Sequence, residues 1–455
     1  MKRPAVLGSA CLALLSIACQ SPPKQGEPAL ASPGLAASLL RLPRGGGQAA
    51  VYRLPDLSAT VWQAREALPG VTGLIGVAQD DRVVYLSGRS GTVLALDLES
   101  GQVRQPLDHV RAAAVGPDGV LYAVTEDSRA VKLVHRTRQD FNARLPGRPA
   151  RIFGTLEDHL IAAVPGSKPE LVMLRGDQAS ERIAVPAGDV ALTMWGELAA
   201  VAADSGIVLY DLRGTQDPSL IDVNGAVKLV GFSPSGHRLY ASGASPDIVT
   251  LDRYTGRKLG LIELPGRPAD YRFDPLGQYL LVRPEHPDSV WVVDLARRLY
   301  LRTWATPWTD DLPAVGAGHI LLLRDGKDVA AFDLAADLLP EVGRVRGGAG
   351  DLWVPLPWVP GPGSSTPRRD TVTVAHADTA VQRDVYLQVS SSRNPDWAED
   401  LARKLREAGL PARVLPPRQD ADAYRVVLGP YTSRDEAEEA GQKLGRPFFV
   451  YQPEQ

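Results

Sequence analysis

The sequence predicts a multidomain chain: a long all-β part built from a repeated four-stranded unit, then a small α+β domain. Three observations lead there. One apolar pattern recurs about every 40 residues through the middle of the chain. It stops at a Pro-, Gly- and Ser-rich segment near residue 360, and beyond that strands alternate with amphipathic helices. At 455 residues the chain also exceeds what one hydrophobic core usually organises.

The clearest copies of the repeat lie at Thr92–Leu98, Ile207–Leu212, Ile248–Asp252, Val290–Leu295 and Val329–Leu334, each a β-rich run ending at or just past an aspartate. Three weaker copies make eight. From Pro55 to Asp333 the seven intervals span 278 residues, about 40 each, the length of a propeller blade. Most copies follow a second apolar run, such as Val83–Leu86, Val120–Ala123, Leu239–Ala241 or Tyr279–Val282. Tight-turn sequences precede those runs: Gly116-Pro117-Asp118-Gly119, Ser233-Pro234-Ser235-Gly236 and Asp274-Pro275-Leu276-Gly277. Residues 36–358 are therefore expected to form an all-β propeller of four-stranded blades, eight as the first choice and seven as the second, because the first copy is degenerate.

Ring closure follows from the two ends. Residues near 36–68 supply three strands of a blade, and Leu352–Leu356 is expected to return from the far end as the fourth, removing an exposed edge. The recurring aspartates, with Gly soon after in Asp97–Gly101 and Asp252–Gly256, read as turn caps rather than as a ligand set. The region is similar to the YVTN, WD-like and quinoprotein-type propellers of exported bacterial proteins. That resemblance implies architecture alone, since propellers host unrelated functions.

The N-terminus carries Lys2 and Arg3, an apolar stretch from Ala5 to Ala18, and Cys19 before the polar Gln20-Ser21-Pro22-Pro23. That order reads as an export signal over 1–18. Leu15-Ser16-Ile17-Ala18-Cys19 resembles a bacterial lipobox, with Ser16 where Leu is commoner. The resemblance implies a lipid on Cys19, a tether over 19–35 and a lipid-anchored place at the periplasmic face of the envelope. Gln20 in place of aspartate points to the outer membrane. With the signal removed, Cys19 is the one cysteine left and has no disulfide partner in the chain, which a lipid explains.

Composition excludes two partner classes. Apart from the N-terminus, no apolar run approaches the roughly 18–20 residues of a spanning helix. The formal charge of −3 falls to −5 without residues 1–18, which hold Lys2 and Arg3 and no acid, so the chain lacks the positive field that nucleic acid needs.

Residues 359–382, opening on Gly361-Pro362-Gly363-Ser364-Ser365-Thr366-Pro367, are expected to be a flexible linker with a reach of roughly 25–30 Å, so that the two domains move independently. Over 383–455 the pattern changes. Asp384–Ser390 alternates with period two, placing Val385, Leu387 and Val389 on one face and Tyr386, Gln388 and Ser390 on the other. Asn394 as N-cap and Pro395 open a helix with Trp397, Leu401 and Leu405 at four-residue spacing, closed by Gly409. Strands follow at Ala412–Leu415 and Tyr424–Leu428. Ser433 and Glu436 form a capping box for a second helix ending at Gly445, and Phe448–Tyr451 is the last strand. The order β-α-β-β-α-β gives a four-stranded antiparallel sheet with two helices on one face and the other face open.

This segment resembles a SPOR domain. The similarity rests on Val385-Tyr386-Leu387-Gln388-Val389-Ser390-Ser391, on Tyr424-Arg425-Val426 with Gly429-Pro430-Tyr431, and on Ser433-Arg434-Asp435-Glu436-Ala437. It departs from the family where Ser390 replaces the usual Gly, Ser392 the usual Phe, and Ala423 a frequent Trp. The resemblance implies binding to peptidoglycan glycan strands stripped of stem peptides, chiefly at division sites. The family's glycan-contacting positions fall on Gln388, Ser391 and Arg425, with Tyr386 and Tyr424 as further candidates. The alternation independently brings Gln388 and Arg425 to the open face, where an amide and a guanidinium suit sugar hydroxyl and N-acetyl groups.

No nucleophile elbow, His-Glu-x-x-His helix or phosphate loop occurs, and the seven histidines are scattered singly. The chain is expected to be no enzyme and to need no cofactor or metal. Thr255-Gly256-Arg257 is similar to the blade repeat of quinoprotein dehydrogenases, but the tryptophans are irregular where that reading needs one per blade. The expected role is a wall-binding scaffold whose propeller engages envelope or division proteins. The alternative is an outer-membrane assembly scaffold that uses the wall as an anchor.

Overall fold

Strands sandwiched between two neighbours lose water on both faces and read as nearly unbroken apolar runs. Val83–Gly88, Leu198–Ala203, Tyr279–Pro284 and Ile320–Asp325 are of this kind, with most of their residues buried. In the computed structural model they are the second strands of blades. It describes residues 37–360, apart from 80, 135, 156–157, 177–179 and 286–287, and residues 385–451, apart from 393–394, 408, 417–423 and 445–447. The expected export signal, Cys19, the tether, the linker, Asn394 and Gly445 lie outside the described residues.

Eight four-stranded antiparallel sheets follow one another from Ser38 to Leu356. Blade 1 pairs Ser38–Leu42 with Ala50–Arg53 on one side and with Leu352–Leu356 on the other, in the register Leu40↔Val354. Blades 2 to 8 begin at Val71, Val110, Arg151, Val190, Val227, Pro268 and Ala314. Leu352–Leu356 packs between the first strands of blades 8 and 2, Ala314–Gly316 and Val71–Ala78, and so closes a β-propeller. Outer strands such as Glu181–Ala184 are short and mostly exposed. Their charges discourage edge-to-edge pairing.

Turn chemistry explains the repeated motifs. Gly119, Gly236 and Gly277 end the three tight turns at φ of 75°, 76° and 69°, a region glycine enters without strain. The recurring aspartates accept backbone N–H groups: Asp97 from Glu99 and Ser100, Asp252 from Tyr254 and Thr255, and Asp211 from Arg213, Thr215 and Gln216. Burial pushes the Asp252 carboxyl up, but the N–H and hydroxyl donors of Thr255 and Tyr254 outweigh it and hold the group below the usual range.

The C-terminal unit is a four-stranded sheet in the order Ala412–Leu415, Tyr424–Tyr431, Val385–Ser392, Phe449–Tyr451, with helices α1 (Pro395–Glu407) and α2 (Arg434–Lys443). Helix α1 buries Ala398, Ala402 and Leu405 against Leu387, Val389, Val426 and Leu428, and α2 adds Ala437. This core is the domain's own. Ser433 Oγ accepts from Glu436 N–H at 3.1 Å, while the Glu436 carboxylate reaches back to Thr432 N–H. Among the described residues no helix is long and apolar enough to cross a membrane.

The open face expected from the sequence is covered. The sheet surface away from the helices lies against turns of blades 5 and 6, and the reason is apolar area. Val427, Phe449 and Tyr451 share that surface, and an exposed sheet face of this size gains by being buried.

Candidate functional site

The site is set by register. Across one row of the sheet, Arg413, Val427, Gln388 and Phe449 stand side by side. Leu387 and Leu428, one step away, belong to the helix-side core, so this row faces the other way. Arg425 is two residues from Val427 and shares its face; Tyr386 is two from Gln388 and pairs with Tyr451. Gln388, Arg425 and Tyr386 are thus brought to one surface, as the alternation predicts.

A bulge changes the rest. The register of Val385–Ser392 shifts between Gln388 and Ser390, so Ser390 stands opposite Val426 and Ser391 opposite Arg425. Simple alternation would put Ser390 beside Gln388. The extra residue, Val389, keeps its side chain in the core and hands the next outward register position to Ser391. Tyr424 goes elsewhere: it packs with Val426 and Leu428 on the helix side, separated by the sheet from Gln388 and Arg425.

One guanidinium escaped the sequence reasoning. Arg413 lies over the Tyr386 ring, 4.3 Å from its centroid. The inward positions of Ala412 and Val414 are the signal that would have found it, since a strand with those residues inside must point Arg413 out.

Gln388 and Arg425 are 3% and 4% exposed, because the propeller sits on them. The Arg425 guanidinium lies 4.7 Å from the Trp195 ring centroid and 5.5 Å from that of Tyr451. Trp195 comes from the tight turn between the first two strands of blade 5 and meets Phe449 edge-on at 5.7 Å. The matching turn of blade 6 gives a backbone bond, Val450 N–H to Ser235 O at 3.0 Å. Gly236 in that turn lies so close to the Phe449 ring that a Cβ there would stand 2.3 Å from it.

Charge joins the same two parts. Glu438 on α2 places Oε2 2.9 Å from both His237 Nε2 and Arg238 Nη2, and Ser235 Oγ donates to its Oε1 at 3.3 Å. Burial pushes the Glu438 carboxyl up, but His237 and Arg238 outweigh it and hold the group below its ordinary range. His237, Asp435 and Glu438 each bring a ligand atom within 4.8 Å of one another, as a small cation site would. Arg238, beside Glu438 and 3.7 Å from Asp435, already supplies positive charge there.

Comparisons with known proteins agree with both halves. The SPOR domain family model matches residues 382–451. Apo AztD from Citrobacter koseri superposes with a TM-score of 0.51 at 13% identity, covering 70% of this chain and 98% of that one. The dihydro-heme d1 dehydrogenase NirN superposes with a TM-score of 0.51 at 17% identity, covering 72% and 75%. At such identities the likeness concerns the fold alone. Among curated proteins the sequence finds no match. Residues 382–451 are a SPOR domain, carried by the chain behind a β-propeller.

Proposed function

We propose that this chain is an envelope lipoprotein that recognises denuded peptidoglycan strands through Gln388, Arg425 and Ser391, with Tyr386 beside them, and that its propeller is a non-catalytic scaffold for division or wall-remodelling proteins. The SPOR domain implies peptidoglycan binding and a place in the periplasmic cell envelope. One observation carries the finer reading. The register sets an amide and a guanidinium on the same sheet surface, opposite the helices, where a linear sugar chain would lie along the strands once the propeller's turns are off it. Flat guanidinium and amide groups give fixed hydrogen-bond geometry to N-acetyl and hydroxyl groups. Arg413, on the same face, extends the polar row. Cys19 would carry the lipid, holding the protein at a membrane, with the outer membrane preferred, while the domain reaches the wall.

Purified residues 383–455, which hold a complete core, test the reading by co-sedimentation with sacculi. Binding should depend on strands whose stem peptides have been removed by an amidase. Sedimentation unchanged after digestion of those denuded strands would exclude the specificity.

A further inference from the structure

We infer that the turns of blades 5 and 6 are a docking surface for the chain's own SPOR domain, and that docking and glycan binding exclude each other. The inference rests on the reading of Gln388 and Arg425 as glycan contacts.

The geometry leaves no room for both. A sugar strand needs its hydroxyl and N-acetyl groups within hydrogen-bond distance of Gln388 and Arg425, yet these residues are 3% and 4% exposed. What covers them is specific. Trp195 lies over Arg425, and Phe449 rests against Trp195 and Gly236. Val450 bonds to Ser235, and Glu438 is held by His237 and Arg238. The bonds and ion pairs lie beside the sheet face and fix its placement; the aromatic contacts lie on it.

The cover is also imperfect in a telling way. Gln388 Oε1 and Trp195 Nε1 are buried with no hydrogen-bond partner. A buried amide oxygen without a donor is costly, and a sugar hydroxyl is a donor it lacks in this arrangement. Release of the cover onto glycan would satisfy both groups, Gln388 by the sugar and the indole N–H by water. The closed arrangement is thus a competitor for the sheet face that glycan can displace. A segment of the same chain competes at an effective concentration on the order of millimolar, enough to set a threshold for wall binding.

Trp195 also has a rival role. The domain lacks aromatics at Ser392 and Ala423, and an indole from the propeller would complete a shared sugar site. The two roles predict opposite signs.

The test compares three proteins on amidase-treated sacculi: the full chain, the full chain with Trp195→Ala, and residues 383–455. Trp195 packs outside the blade cores, with Phe449, Met194 and Tyr451, so the propeller tolerates its loss. Expected is fragment binding at least tenfold tighter than the full chain, with Trp195→Ala recovering most of the difference. Glu438→Lys, which sets a cation against His237 and Arg238, should do the same in the full chain and leave the fragment unchanged. Amide exchange in residues 193–197 and 233–238 should rise when glycan is added. Equal binding by full chain and fragment, weaker binding by Trp195→Ala, or unchanged exchange with glycan bound would each overturn the inference. If the fragment itself fails to bind, the glycan reading falls instead, and exchange in the same turns of Trp195→Ala against the native chain still reads the docking.

Discussion

Arg425 of the SPOR domain rests its guanidinium over the Trp195 indole of blade 5, 4.7 Å from the ring centroid, with almost no exposure. A cation kept this dry lies beside two neighbouring aromatic rings, those of Trp195 and Tyr451, and its Nη1 also approaches the Tyr451 hydroxyl at 3.5 Å. On the proposed reading, the same group, uncovered, would be an anchor for sugar hydroxyl and N-acetyl groups.

Removing that anchor has a defined cost. In residues 383–455, Arg425→Gln should weaken sacculus binding at least about tenfold, roughly 1.4 kcal/mol. Tyr424→Phe, one residue away but on the helix side, should leave binding within about twofold. Co-sedimentation at matched salt measures both. Equal losses would mean that the face assignment does not govern binding.

Glu438 makes the docking pH-dependent. Its carboxyl is lowered in the docked chain by His237 and Arg238, both from the propeller, against the upward push of burial. Asp435, Ser235 and the buried Tyr240 also face this cluster. A depressed carboxyl contributes docking strength that is fully present above its ordinary value and is lost as pH falls through the depressed one. Exchange protection of the Val450 amide should therefore fall on acidification below about pH 4.5. Glu438→Gln should be weakly docked throughout and nearly flat with pH over that window. A parallel response of variant and native chain would remove Glu438 from the account.

Asp274 predicts the opposite slope for the propeller. Burial raises its carboxyl to about 7, although N–H groups of Tyr279 and Leu276 bond to it. A raised carboxyl stabilises the fold fully below its unfolded value, near 4, and that contribution is lost as pH rises towards 7. Thermal midpoints of the native chain should drop relative to Asp274→Asn between pH 4 and 7, then run parallel above. A constant difference across that range would show that Asp274 does not titrate there.

Much of this was legible before any coordinates, and the failures have physical causes. In most blades the second and third strands announce themselves because neighbouring blades bury both their faces. Closure by Leu352–Leu356 was legible as the strand missing from the first blade, and it pairs with Ser38–Leu42. Period-two alternation found the common face of Gln388 and Arg425. It put Ser390 in register with the outward row, whereas the bulge sets Ser390 opposite Val426, and bulges leave no strong mark on composition. Alternation also says which side chains leave the core, but not what meets them, so the cover of Trp195 and Ser235 was invisible. Val427 and Phe449 were a hint, as apolar residues on a face read as open.

Ring closure gives the last prediction. Asp311 is buried and accepts from Arg324 at 2.8 Å, from Thr309 at 2.8 Å and from the backbone N–H of Trp353 at 2.8 Å. Trp353 sits in the returning strand and is fully buried, with its indole N–H on Gly348 O. One carboxylate therefore ties the last blade to the strand that completes the first. Asp311→Ala leaves the buried Arg324 without its charge partner and the Trp353 amide without an acceptor, which should cost about 3–5 kcal/mol. By contrast Asp211→Ala, at an exposed turn, should cost only about 1 kcal/mol, because water replaces its N–H bonds. Denaturant unfolding followed by tryptophan emission separates the two. If the losses match, closure is carried by strand pairing and packing alone, and the carboxylate is incidental to it.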